Sequence, residues 1–337
     1  MPITPGIPAP AAPAAPAAPF DINKLILNNW TNQSITANTE LWADICWSPQ
    51  RRLFVAIAMA GGSINKILTS PNGINWTLRN TPTNNVVWRS ICWSAERNLF
   101  VIVGEWGTNN GVMTSPDGIN WTLRTPALNL NWIDVCWSPK LGIFVATSID
   151  GFMTSSDGIN WIHRNIPIAQ AYRSIVWSDF LSLFVTISPT TFNNRILISS
   201  NGIDWTVIPA PISNAWSSVC WSPELKIFAA VSASGHLNRV MTSPDGINWT
   251  LRTTPNNNDW QSITWSPELK TFVAVCNTAT NNVIMSSKDG VTWDNNITPL
   301  IDTWQSITWS PELGIFVAVG EGANNASILS TLHFVIP

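Results

Sequence analysis

The sequence contains few of the residues on which most catalytic, metal-binding and nucleic-acid-binding sites depend. Only 11% of its 337 residues are charged, and it has three histidines and a single tyrosine. Lysine and arginine number 17 against 20 aspartates and glutamates, which gives a formal net charge of −3. This balance excludes the strongly basic surface that binding to nucleic-acid phosphates requires. No apolar run approaches the roughly 18 to 20 residues of a membrane-spanning helix.

Metal, phosphate and nucleophile motifs are also missing. The histidines have no zinc-like spacing, and there is no phosphate-binding loop, nucleophile elbow or EF-hand loop, so we predict no metal and no cofactor. Four cysteines share a repeat position that holds valine or threonine in the other units, which indicates that they fill volume. The total of five is odd, which argues against a disulfide framework and favours a reducing compartment or a particle assembled in one. The four are Cys46, Cys92, Cys136 and Cys220.

Tryptophan, by contrast, occurs 21 times and marks an internal repeat. The pattern W-x-[DS]-[IV]-x-W-S occurs six times, and Tyr172 replaces the first tryptophan in a seventh unit. Successive units begin 40 to 46 residues apart, most often 44. A period of this length is typical of a β-propeller blade. The first tryptophans of the pattern are Trp42, Trp88, Trp132, Trp216, Trp260 and Trp304.

Each unit contains four short segments rich in Val, Ile, Phe, Thr and Trp, separated by Pro, Gly, Asn and Asp. We therefore predict an all-β fold, a seven-bladed β-propeller with four-stranded blades, over residues 25–337. The last unit lacks a fourth segment, and a matching Asn29-Trp30-Thr31 stands at the start of the chain. We expect this N-terminal strand to complete the last blade and close the ring, which leaves no open sheet edge.

A second motif, S-x-[DN]-G-[IV]-x-W, lies between the third and fourth segments of six units, within residues 70–293. It resembles the Asp-box (BNR) repeat of sialidase-type propellers, although the usual spacer residue between Asp and Gly is absent. The resemblance implies a structural hairpin, in which the carboxylate or amide binds backbone N–H groups of the turn and the tryptophan packs between blades. The box residues are Asn72, Asp117, Asp157, Asn201, Asp245 and Asp289.

The catalytic set that this resemblance would imply is missing. A sialidase-like glycosidase uses an arginine triad, a tyrosine nucleophile with a glutamate partner and an aspartate acid/base. The only tyrosine, Tyr172, occupies a tryptophan position, so we predict that the chain is not an enzyme. A divergent glycoside hydrolase stays as an alternative, because Asp44 and Asp134 share a first-strand position that is serine in the other five units. Without a tyrosine nucleophile, we expect these two aspartates to bond the channel backbone.

Comparison of the units with one another indicates where a ligand would bind. The turns between strands one and two and the boxes are uniform and fall on one face of the ring, here called the box face. The other loops differ between units and fall on the opposite, variable face, where binding sites are expected. Trp106 lies outside the repeat register. We interpret it as a stacking platform for a sugar, as an anchor in a protein interface, or as a cover for the neighbouring blade. We expect Arg89 and Arg173 near the central opening. The candidate ligand-binding residues are Trp106, Glu105, Arg89, Arg173, Phe192, Arg195 and His236.

Residues 1–24 are predicted to form a separate Pro/Ala-rich tail. Proline recurs at every third residue in two series between Pro2 and Pro19, which matches the three-residue turn of polyproline II. The segment lacks the basic start and continuous apolar stretch of a secretory signal. We interpret it either as a spacer or as an anchor that docks in a groove of another protein subunit.

These features favour a binding or structural module that its tail tethers to a larger assembly, such as a virion, an appendage or a surface array. Its ligand would be a glycan or a protein surface, and its location intracellular or on a virus particle or surface. An intracellular assembly factor, like the photosystem factors that carry similar boxes, is a further alternative. That function would need a basic patch, for which only Arg89 and Arg173 are available.

Overall fold

The computed structural model describes residues 27, 29–33, 40–59, 66–83, 85–105, 111–190, 195–278, 283–296, 298, 302–321 and 327–331. Within these residues, 28 strands form seven four-stranded antiparallel sheets. This architecture confirms the predicted seven-bladed β-propeller. The predicted tail, residues 1–24, lies outside the described residues. In the same described ranges, no helix combines the length and the hydropathy that crossing a membrane requires.

The strands follow one another in chain order, so that each blade is a meander. The first strand, β1, spans Trp30–Gln33. Blade 1 contains β2 (Trp42–Ser48), β3 (Leu53–Ala58), β4 (Ile67–Ser70) and β5 (Thr77–Arg79). Blade 2 contains β6 (Val87–Ser94), β7 (Leu99–Glu105), β8 (Val112–Ser115) and β9 (Thr122–Arg124). Blade 3 contains β10 (Asp134–Ser138), β11 (Ile143–Thr147), β12 (Phe152–Ser155) and β13 (Ile162–Arg164).

The remaining blades repeat this order. Blade 4 contains β14 (Ser174–Ser178), β15 (Leu183–Ile187), β16 (Arg195–Ser199) and β17 (Thr206–Pro209). Blade 5 contains β18 (Trp216–Ser222), β19 (Ile227–Ser232), β20 (Val240–Ser243) and β21 (Thr250–Arg252). Blade 6 contains β22 (Trp260–Ser266), β23 (Thr271–Cys276), β24 (Ile284–Ser287) and β25 (Asp294–Asn296). Blade 7 contains β26 (Trp304–Ser310), β27 (Ile315–Gly320) and β28 (Ser327–Thr331).

Blade 7 takes its fourth strand from the other end of the chain. Its sheet order is β1-β28-β27-β26, with Trp30 opposite Thr331 in an antiparallel register. The innermost strand of blade 1, β2, in turn packs against β26.

The core of the ring lies between neighbouring blades. The second strand of each blade is apolar at almost every position, because both of its faces are covered by an adjacent blade. Val55 and Ile57 of blade 1, for example, pack in one buried cluster with Phe100 and Ile102 of blade 2. Burial on both faces explains why these segments read as continuous runs of Phe, Val, Ile and Ala rather than as alternating patterns.

The first aromatic residue of each unit is fully buried and serves by its shape. Among the described residues, no hydrogen-bond partner is recorded for the indole N–H of the six tryptophans at this position. In blade 4, Tyr172 replaces the indole, packs edge-on against Phe152 with ring centroids 5.3 Å apart, and donates its hydroxyl to the Ile168 carbonyl at 3.3 Å. Since the position needs volume and not a specific donor, a tyrosine can occupy it.

In five of the seven units, the second tryptophan joins neighbouring blades through a hydrogen bond. Its indole N–H donates to an acidic or amide side chain in the turn between strands one and two of the preceding blade, as from Trp137 to Glu96 at 2.7 Å. We call these contacts indole bonds. Four of the five acceptors are glutamate carboxylates, and their short distances and charge make those four bonds stronger than ordinary neutral hydrogen bonds. The others are Trp47–Glu312, Trp93–Gln50, Trp265–Glu224 and Trp309–Glu268.

Blade 4 lacks an indole bond on both of its sides. The turn of blade 3 carries Lys140 at the acceptor position, and Trp177 donates to Asp179 of its own blade at 2.5 Å. The turn of blade 4 carries Phe180, which stacks on Trp221 of blade 5 with ring centroids 6.4 Å apart and an angle of 16° between the ring planes. A cation and an aromatic ring cannot accept the indole proton as a carboxylate does.

Candidate functional site

A pocket of about 370 Å³ lies at the centre of the ring, where the first strands begin on the variable face. A bulge near the start of five of these strands, as between Trp88 and Ser90, inserts one residue that turns toward the central channel. The residue at this position in each blade lines the pocket. These seven residues, here called the upper ring, are Ala43, Arg89, Ile133, Arg173, Ser217, Gln261 and Gln305.

Arg89 is the more tightly held of the two arginines of the upper ring. One terminal nitrogen forms a salt bridge with Glu105 at 2.9 Å, and the other donates to the Met59 sulfur at 2.9 Å. Its Nε is buried and has no hydrogen-bond partner among the described residues. Glu105 and Met59 line the same pocket, so this arginine is oriented by side chains from two different blades.

Arg173 is held more loosely. It is exposed at the pocket mouth, and its recorded side-chain hydrogen bond runs to the neutral Gln261 at 2.8 Å. Reduced solvation by the surrounding protein lowers the pKa of its guanidinium, and the like charge of Arg89 lowers that pKa further. The two cations are therefore close enough to repel each other.

Beneath the upper ring, a second ring of seven side chains connects neighbouring blades. In five blades a serine hydroxyl occupies this position, and in most of them it accepts the backbone N–H of a residue in the next blade, as Ser218 does from Ile263 at 3.3 Å. We call this set the serine–aspartate ring. Its members are Asp44, Ser90, Asp134, Ser174, Ser218, Ser262 and Ser306.

The two aspartates of this ring bond to the channel backbone, as expected from the sequence. Asp44 accepts the N–H groups of Ile45 at 2.8 Å and Ile91 at 2.9 Å, and the Ser306 hydroxyl at 2.6 Å. Asp134 makes the same contacts two blades further along, with the N–H groups of Val135 at 2.9 Å and Ile175 at 2.7 Å, and with the Ser90 hydroxyl at 2.5 Å. Ser90 and Ser306 lie in the blades that precede those of Asp134 and Asp44 around the ring. Each carboxylate therefore joins three successive blades.

Desolvation has the largest effect on the pKa of both carboxyl groups. It raises the pKa of Asp134 from 3.8 to about 7, against the lowering effect of the Ser90 hydrogen bond, and the neighbouring charge of Asp44 raises that pKa further. Desolvation also raises the pKa of Asp44. The floor of the pocket can therefore take up a proton near neutral pH.

The cysteines lie deeper, two residues along the first strands. Cys46, Cys92, Cys136 and Cys220 are half-buried free thiols, and desolvation raises the pKa of each well above its ordinary value. Raised pKa values keep these thiols protonated and poorly nucleophilic. Across the part of the chain that the structure describes, no cluster of three His, Cys, Asp or Glu side chains is arranged to hold a metal ion.

The boxes have the geometry that the resemblance implies. Asp117 accepts the backbone N–H groups of Ile119 and Asn120 at 2.8 Å each, and the Trp121 indole donates to the Gly118 carbonyl at 3.1 Å. Partial burial alone would raise the pKa of Asp117, but these N–H groups outweigh it and lower the pKa to about 2. The backbone N–H contacts recur at the other boxes, at Asn72, Asp157, Asn201, Asp245 and Asp289. The indole contact recurs in all of these boxes except that of Asn201, where no hydrogen-bond partner is recorded for the Trp205 indole among the described residues.

The structure brings together three of the seven candidate ligand-binding residues. Arg89, Arg173 and Glu105 line the central pocket. His236 is exposed on the loop between β19 and β20, outside the pocket lining, and its backbone N–H donates to Asn238 at 3.0 Å. The other three cannot be placed in the site, since Trp106, Phe192 and the side chain of Arg195 lie outside the described residues.

Two features of the site were missed by sequence reasoning. Met59 and Gln261, which contact the arginines, come from a second-to-third-strand loop and from a distant blade. Gln261 carried a signal, because it stands at the same repeat position as Arg89 and Arg173. Met59 carried none, since its loop has no counterpart of fixed length in the other units.

Comparison with known proteins places the fold but not a family. No family model and no curated protein matches the sequence, so the resemblance to the Asp-box family rests on the box motifs alone. Among solved structures, the chain is similar to virginiamycin B lyase from Staphylococcus aureus, with 12% identity, TM-score 0.74, and 90% and 99% of the two chains covered. It is also similar to YCF48 bound to D1 peptide, with 15% identity, TM-score 0.69, and 96% and 99% covered. A third match is the WD40 propeller domain of Doa1, with 12% identity, TM-score 0.65, and 90% and 97% covered.

The lyase match corrects the prediction that the chain is not an enzyme. That prediction is contradicted, because proteins with lyase activity are among the structures that share this fold over nearly the whole chain. The sequence argument had excluded the sialidase catalytic set and a few recognisable metal, phosphate and nucleophile motifs, which are not the whole range of enzyme chemistry. A propeller can carry other chemistry on the same frame, since its loops and channel side chains vary independently of the strands.

Proposed function

We propose that the chain binds a peptide or a protein segment in the central pocket of its variable face. The observation that carries this proposal is the upper ring, which directs side chains from all seven blades into one cavity of about 370 Å³. Binding pockets in proteins are concave and combine apolar walls with a few convergent polar groups. Here Ala43, Ile133 and Met59 supply apolar surface, while the arginines and glutamines supply donors.

One of the structural comparisons supports a peptide ligand. YCF48, which shares the fold over 96% of this chain, was solved with a bound peptide. A cavity of this size admits a chain end or a few side chains, so we expect recognition of a short extended segment.

The proposal is tested by selecting binders from a library of displayed peptides and measuring their affinity for two variants. Gln305→Trp fills the pocket from the upper ring, whereas Ile247→Trp adds the same side chain at an exposed box-face position. We expect peptides that bind the wild type and Ile247→Trp, and lose at least roughly tenfold in affinity for Gln305→Trp. Equal binding to all three, or selective binding to a glycan array with no peptide selected, would contradict the proposal.

A second part of the proposal is that residues 1–24 tether the ring to a larger assembly. Its support is the three-residue proline spacing, which favours an extended segment of about 59 Å at roughly 3.1 Å per residue over residues 1–19. Small-angle scattering of the full chain tests the rod on which tethering depends. An extended segment lengthens the particle beyond the ring by a distance of that order, and a particle no longer than the ring would refute it.

A further inference from the structure

The charges around the upper ring leave one cation without a carboxylate partner. Arg89 is paired with Glu105 at 2.9 Å. For Arg173 the described residues provide no ion pair, and its recorded partner is the amide oxygen of Gln261. A guanidinium in a protein pocket commonly pairs with a carboxylate or phosphate, because its planar fork of donors matches their oxygens.

The guanidinium of Arg173 has more N–H donors than its one recorded side-chain hydrogen bond uses. The terminal nitrogens of Arg89 are already held by Glu105 and Met59, and its Nε is buried. Arg173 is exposed toward the opening, and mutual repulsion with Arg89 lowers the pKa of its guanidinium in addition to the effect of desolvation. An anion bound between the two would relieve this repulsion and accept hydrogen bonds from the exposed guanidinium of Arg173.

We propose that Arg89 and Arg173 together bind a carboxylate group of the bound segment, with Gln261 completing the contact. This inference rests on the proposed function, since it names the chemistry that the pocket recognises. The group is either the terminal carboxylate of a chain or an aspartate or glutamate side chain. The two sources present the same oxygens to the arginines, and the experiment below separates them.

The charge balance favours a carboxylate over a phosphate. The pocket mouth carries two positive charges and the single negative charge of Glu105, so one further negative charge neutralises it. The floor contains the carboxyl groups of Asp44 and Asp134, and the fraction of them that is ionised repels a doubly charged ligand more strongly than a singly charged one. The neutral Gln261 and Gln305 add donors without adding charge.

The inference is tested with four synthetic hexapeptide libraries. Two end in a free carboxylate and two in a carboxamide, and one library of each pair contains Asp and Glu whereas the other does not. The retained peptides are counted by mass spectrometry for the full-length protein. We expect peptides that carry a carboxylate to be retained at least roughly tenfold over those without any. Retention of only the libraries that end in a free carboxylate identifies a chain terminus. Retention of the two libraries that contain Asp and Glu, whatever their chain end, identifies an acidic side chain.

Two variants with the same charge change provide the control. Arg173→Gln removes the exposed guanidinium, whereas Arg252→Gln removes one on the outer strand of blade 5, where its Nε donates to Thr242 at 2.9 Å. We expect roughly a tenfold loss of the carboxylate preference in Arg173→Gln and none in Arg252→Gln. An equal loss in the two variants would overturn the inference, as would inorganic phosphate that competes at a tenth of the acetate concentration.

The outcomes separate this inference from the proposed function. If acidic and neutral peptides bind equally well and Gln305→Trp abolishes the binding of both, the peptide pocket stands and the carboxylate site is refuted. If no library is retained at all, both proposals fail.

Discussion

Replacing Asp134 by serine should remove a pH-dependent loss of stability. Serine is the residue that five other blades use at this position, and its hydroxyl can accept the Ile175 N–H as Ser218 accepts that of Ile263. The change therefore keeps the contact between blades and removes the titrating carboxyl group. No cavity forms in the core, because the position faces the channel.

The direction of the pH dependence follows from the raised pKa of Asp134, which is about 7 in the folded chain against an ordinary value of 3.8. Between these two values the folded state holds a proton that the unfolded state has released, so the free energy of unfolding falls as pH rises from about 4 to 7 and is constant above. The full shift corresponds to about 4 kcal/mol. Because the side chain keeps partial contact with the channel, we expect about 2 to 4 kcal/mol.

The assay is urea denaturation of the wild type and of Asp134→Ser between pH 4.5 and 8. We expect the variant to gain stability relative to the wild type as pH rises, with most of the change complete by pH 8. Ser218→Ala serves as the control, since it removes an acceptor in the same ring without a titrating group and should shift stability equally at every pH. A difference curve that is flat over this range would refute the argument.

Three further changes test the contacts between and within blades. Glu268→Ala should lower the free energy of unfolding by about 2 kcal/mol, because it removes the acceptor of the Trp309 indole bond. Glu268→Gln should lower it by less than about 1 kcal/mol, because the amide of Gln50 is the acceptor in blade 1. Equal urea midpoints for the two variants would contradict this. Asp117→Asn should leave stability at pH 7 nearly unchanged. The lowered pKa of Asp117 stabilises the fold above about pH 4, and this stabilisation is lost as pH falls through 2, so the variant should reduce acid destabilisation by about 1 to 2 kcal/mol. Acid titration followed by circular dichroism measures this difference. Gly118→Ala should cost about 2 kcal/mol or more in thermal unfolding, because φ is +73° and the new Cβ would lie 2.9 Å from a Leu53 methyl group. Gly142→Asn, at a turn position where other blades hold non-glycine residues with positive φ, should cost much less, and equal costs would refute the steric argument.

The fold could be predicted from the sequence because the repeat supplies it seven times over. Each blade is specified by local strand and turn residues, and a constant period fixes how the blades follow one another. The arginines of the pocket could be found for a related reason. Arg89 and Arg173 depart from a position that is small or neutral in the other blades, and such departures stand out when packing keeps the rest uniform.

The finer properties of the site depend on distances across the ring, which no local pattern encodes. The pKa of Asp134 depends on how closely the seven first strands approach, since their packing desolvates the carboxyl group and brings Asp44 near it. The contact between Arg173 and Gln261 joins residues 88 positions apart in the sequence. The indole bonds had a sequence signal, the glutamate that recurs in the turn between strands one and two, but its acceptor role needed the neighbouring blade.

The gap in the indole bonds has a consequence for the behaviour of the ring as a whole. Each such bond couples nearest neighbours, so the ring resembles a closed chain of seven links in which the two links on either side of blade 4 are of a different kind. Local opening should begin at the weakest links, and we expect the backbone amides of blade 4 to exchange with solvent first. Blade 4 also carries Arg173, so the cation with no carboxylate partner in the described residues belongs to the blade that has no indole bond to either neighbour.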